Sequence, residues 1–85
     1  MTTSLMTPSV HLNGSSKEHL VADLCAAGDA VRLAIEKLEW AAPNGRDYYP
    51  QGPGAFPQAL REHVARVAHL RGVLAELEEI AQAIA

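Results

Sequence analysis

Cysteine is almost missing from this chain of 85 residues: Cys25 stands alone, so no internal disulfide can form, and a reducing compartment is the expected setting. The HExxH pattern and the cysteine pairs of metal sites are absent, which leaves no metal centre to expect. Glycine-rich phosphate loops and serine-centred elbows are absent too, so the reading is not an enzyme and no cofactor. No apolar run approaches the ~20 residues of a membrane span. Residues 1–10 lack the basic start and long apolar stretch of a signal peptide, and a cytoplasmic protein is expected. Basic residues are few: 7 Lys and Arg stand against 10 Asp and Glu, a net charge of −3, which argues against a nucleic-acid partner. Aromatics are scarce as well, and three of the four (Trp40, Tyr48 and Tyr49) lie within ten positions of one another. That clustering is the first sign of a local site.

What is present is helical. Residues 1–12 hold Thr, Ser and Pro8 without a helical period and read as a flexible tail. Asn13-Gly14 marks a turn, since both residues tolerate positive φ. Ser15 and Glu18 have the spacing of a capping box, with Ser16 as an alternative cap. Leu20, Leu24, Ala27, Val31, Ile35, Leu38 and Ala42 then recur at steps of three and four, one face of a helix over about 16–42. Mid-helix Gly28 is either a close-approach residue or tolerated drift. Pro43 ends the run, and a loop follows over 43–57 with four prolines and three glycines. Proline suits a first helical turn, so a second helix is expected over about 57–84, starting near Pro53 or Pro57. Its seam is Leu60, His63, Val67, Leu70, Leu74, Leu77, Ala81 and Ile84, spaced like a heptad repeat. The predicted fold is all-α: a domain over 13–85 made of two long antiparallel helices, a helical hairpin.

An isolated hairpin covers one stripe per helix, and these helices carry more. Leu33 and Trp40 lie off the first seam; Val64, Val73 and Ile80 lie off the second. A chain this short buries only roughly 60% of its unfolded surface. A homo-oligomeric helical bundle is therefore expected, with Leu33, Trp40, Val73 and Ile80 at the interface; the alternative is a monomer whose tail folds over the second stripe. Helix 2 is basic first (Arg61, His63, Arg66, His69, Arg71) and acidic last (Glu76, Glu78, Glu79), the reverse of what the helix dipole favours. In a hairpin its basic half meets Glu36 and Glu39, so ion pairing between the helices is one account. Arginines facing an anionic ligand near the loop is the other.

The most informative stretch is Arg46-Asp47-Tyr48-Tyr49. Arginine presents a planar fork of donors that matches phosphate or carboxylate. Tyrosine rings stack on bases and donate a hydroxyl. Asp47 accepts from a sugar or base edge, or holds Arg46. Asn44, Arg61 and His63 complete the candidate set, with Asn13 and Ser15 contributed by a neighbouring subunit, because a helix N-terminus suits anions and one hairpin keeps the two ends ~40 Å apart. The plainer reading has Arg46 and Asp47 capping helix ends while the tyrosines plug the bundle. His19 with Asp23, four apart, and His63 with Arg66, three apart, read as surface polar residues, and Cys25 as a small core residue.

The segment His11-Leu-Asn-Gly-Ser, the loop Pro43-Asn-Gly-Arg-Asp-Tyr-Tyr-Pro-Gln-Gly-Pro and the helix with Arg61-Glu-His63 together resemble small helical proteins of tailed phages and prophages, over most of residues 11–84. That resemblance implies a bacterial host cytoplasm and action on host defences. Some phage proteins of this size are sponges, oligomers that sequester nucleotide signals. The expected function is thus non-catalytic capture of a small anionic, nucleotide-like signalling molecule of cyclic-nucleotide or ADP-ribose type. The alternatives are an interaction module that docks on or inhibits a host protein, and a structural accessory component.

Overall fold

The computed structural model describes residues 5–85. Two long helices, α1 over Lys17–Trp40 and α2 over Ala55–Ile84, pack against each other. Two 3-10 turns, Gly45–Asp47 and Tyr49–Gln51, lie between them. Among the described residues there is no strand. Nor is any helix among them long and apolar enough to cross a membrane.

Local chemistry sets each boundary. The Ser16 backbone is extended, and its hydroxyl oxygen accepts from the His19 N–H at 3.1 Å. The cap is therefore Ser16, not the Ser15 of the expected capping box, and Glu18 falls one position short of the reciprocal bond. At the other end the Ala41 N–H donates to the Leu38 and Lys37 carbonyls, and the Ala42 N–H donates to that of Glu39. The last turn tightens there because Pro43 disfavours helical backbone at Ala42. So α1 stops at Trp40, two residues before the expected end. Helix α2 starts at Ala55, two residues before Pro57, which occupies its first turn, where an N–H would lack an intrahelical partner anyway.

Two ion pairs fix the hairpin. Arg32 pairs with Glu78 at 3.0 Å, and Glu39 with Arg71 at 2.8 Å. Seven residues forward on α1 matches seven back on α2, which is an antiparallel register. This is the expected helix-to-helix pairing of the reversed charges, extended to Arg32 at the acidic end.

The core between the helices is thin. Ile35 and Ile84 are its buried apolar side chains, joined by Gly28 and His63. Leu24, Val31, Leu38, Leu70, Leu74 and Leu77 are only half-buried. One seam expectation, Leu60, is corrected, and so is the reading of His63 as a surface residue. Leu60 is 40% exposed, because it turns off the contact line. His63 is 7% exposed, so it is a seam residue rather than a surface histidine. Cys25 is exposed rather than in the core, since it lies on α1 beside the line of contact. Gly28 is not forced by close approach: a Cβ there would meet the Leu74 Cδ1 at 3.5 Å, an ordinary contact.

Candidate functional site

The loop that joins the helices is built from its own hydrogen bonds. Asn44 is extended, and its side-chain oxygen accepts from the Arg46 N–H at 3.0 Å. Its Nδ2 donates to the Asp47 carboxylate at 3.2 Å. Asp47 is thus held by Asn44, and no ion pair joins it to Arg46 among the described residues. The Tyr48 N–H closes the first turn on the Gly45 carbonyl; those of Gln51 and Gly52 close the second on Tyr48 and Tyr49. Gly52, at φ 110°, turns the chain into α2.

This frame points the side chains in different directions. Tyr48 is half-buried against Phe56, with ring centroids 6.5 Å apart and planes tilted by 39°. Tyr49 is 77% exposed, and Arg46, three positions earlier in the loop, is exposed as well. Tyr48 lines a groove of about 180 Å³ with Gln51, Ala55, Gln58, Ala59 and Glu62. That groove is small, since drug-sized ligands need roughly 300 Å³ or more. Its one ionisable wall besides Tyr48 is the acid Glu62, which accepts from Gln58 Nε2 at 3.1 Å.

The remaining candidates are dispersed. Arg61 is exposed in the second turn of α2. His63 lines a separate groove between the helices with Glu39, Val64, Val67, Ala68 and Arg71. Asn13 and Ser15 are exposed ahead of α1, where the Gly14 N–H donates to the His11 carbonyl at 3.1 Å. The turn is there as expected, but without positive φ at Asn13 or Gly14. The α1 length of 24 residues, ~36 Å, separates them from the loop. Asn44, Arg46, Asp47, Tyr48 and Tyr49 are therefore together on one ordered loop, and Asn13 and Ser15 are not with them in a single chain. Phe56, the platform for Tyr48, was missed by sequence reasoning; its signal was its place as the fourth aromatic, just past the proline-rich stretch.

Charge is distributed unevenly. Arg32 and Arg71 have carboxylate partners, while Arg46, Arg61 and Arg66 have none within 4.0 Å among the described residues. Trp40, 72% exposed at the entry to the loop, carries the Lys37 ammonium 4.0 Å from its ring centre. No grouping of three or more His, Cys, Asp or Glu suits a metal among the described residues. No known family model matches the sequence, and no curated protein or solved structure matches it either.

Proposed function

We propose that this protein is a non-catalytic binder that captures a small anionic, nucleotide-like ligand at the end of the hairpin that carries the loop. The observation behind this reading is that Arg46, Arg61 and Arg66 carry no carboxylate partner among the described residues, although the chain as a whole is acidic. An unpaired guanidinium and an exposed tyrosine ring on one loop offer a bidentate donor for phosphate and a stacking surface for a base. Asn44 supports this use by engaging Asp47, which would otherwise compete for Arg46. A single chain leaves the loop on an open surface, so the walls of a small-molecule site come from a neighbouring copy.

A second reading is favoured by that same openness. Exposed arginine and tyrosine on a rigid loop are the residues that anchor protein interfaces, so the loop would dock on a host protein. The resemblance to small phage proteins suits both readings.

The test is native mass spectrometry of the purified chain, alone and with a panel of cyclic nucleotides and ADP-ribose derivatives. A discrete adduct that disappears in Arg46→Ala, with the protein mass otherwise unchanged, is expected. No adduct across the panel would reject the nucleotide reading and favour the protein partner.

A further inference from the structure

Both ion pairs that join the helices, Arg32–Glu78 and Glu39–Arg71, lie on one broad face of the hairpin. At ~100° per residue, Leu20, Ala27, Val31, Ala34, Leu38 and Ala41 fall on the other side of the inward-pointing Ile35. Asp23 is the one charge in that row. From α2 the same face receives Val73, 44% exposed, and the half-buried Ile80. Its α2 edge carries both signs, with Glu62 and Glu76 on either side of Arg66 and His69. One face thus carries the ion pairs together with the exposed Leu60 and Val64, and the opposite face is an apolar row with a mixed rim.

The exposed area says how much is missing. The chain exposes 6468 Å². A folded monomer of 9.1 kDa is expected to expose about 4,900 Å². The surplus of roughly 1,600 Å², to which the exposed segment before α1 also contributes, lies above the ~800 Å² that a standard interface takes from each partner. The radius of gyration is 18.3 Å, against about 12 Å for a compact chain of this length.

We propose that a second copy of this chain docks two-fold on the face opposite the ion pairs and completes a four-helix bundle. Only a self-complementary surface satisfies an isologous interface. The apolar row with acids and bases on one edge meets that requirement, since each copy supplies both signs. Leu33 and Trp40 lie on the outer edge of α1, so the four expected interface residues divide: Val73 and Ile80 belong to the docked face, and the other two do not.

Cys25 makes the test simple, because it sits beside Arg32 and Glu78 on the ion-paired face. Light scattering on the full chain should give the mass of two chains. In that assembly Cys25 should react with a thiol reagent freely. Ala34→Cys in a Cys25→Ser background should react about tenfold more slowly or less, because access controls the rate. Ala34→Glu should give the mass of one chain. A single-chain mass for the natural sequence overturns the proposal; if Ala34→Cys were still protected, the N-terminal segment would be the occupant. A two-chain mass with Ala34→Cys as reactive as Cys25, or with Cys25 the protected thiol, overturns it as well. Mass and labelling read the docking, whereas adducts read the ligand, so either can fail alone.

Discussion

Asn44 and Gly52 shape the loop at its two ends. Asn44 makes a hydrogen bond to the backbone on one side and to Asp47 on the other. Gly52 takes φ 110° and ψ 168°, a region that side chains disfavour. Gly52→Ala is expected to cost about 1–3 kcal/mol, read as a lower midpoint in urea, although nothing lies within 4 Å of the added Cβ. Gly28 is the opposite case. Its φ is ordinary for a helix and there is room for a methyl group, so Gly28→Ala should raise stability by up to ~1 kcal/mol in the same measurement. A loss instead would show that the Leu74 side chain cannot accommodate the methyl. The sequence pointed to glycine as a residue that bends or permits; which of the two applied at each position depended on backbone angles and neighbours.

Each helix is legible from its own period, caps and prolines, and the pairing follows from charge. Exposed ion pairs contribute little individually, about 0.2–1 kcal/mol. The side chains of Glu39 and Arg71 are half-exposed, at 52% and 61%. Glu39→Lys should lower stability by no more than ~1 kcal/mol, and Arg71→Glu added to it should restore most of the loss. In 1 M salt, where the Debye length is about 3 Å, the single variant and the double variant should converge. A loss that survives in high salt would mean that the pair matters through packing of the arginine stem. The apolar seam places the helices side by side, and these pairs fix the register.

For the whole molecule, a thin core and a surplus of exposed surface are what the proposed two-chain assembly would relieve. Ile80→Glu, on the docked face, should reduce the mass in light scattering to one chain, while Leu33→Glu, on the outer edge of α1, should leave it at two. The reverse result would move the interface to the edge of α1. By itself the sequence determined the two helices, their approximate ends, the loop between them and the cluster Arg46-Asp47-Tyr48-Tyr49, because periodicity, proline and capping chemistry act over a few neighbouring residues. Only the tertiary structure decided that Asp47 answers to Asn44 and not Arg46, that Tyr48 turns in on Phe56 while Tyr49 stays out, that His63 is buried, that Cys25 is not, and which face carries the ion pairs. The last three of those facts depend on the rotation of one helix about another. A period read along one strip of sequence shows that a helix has an apolar side, but only the partner helix shows how much of it is covered.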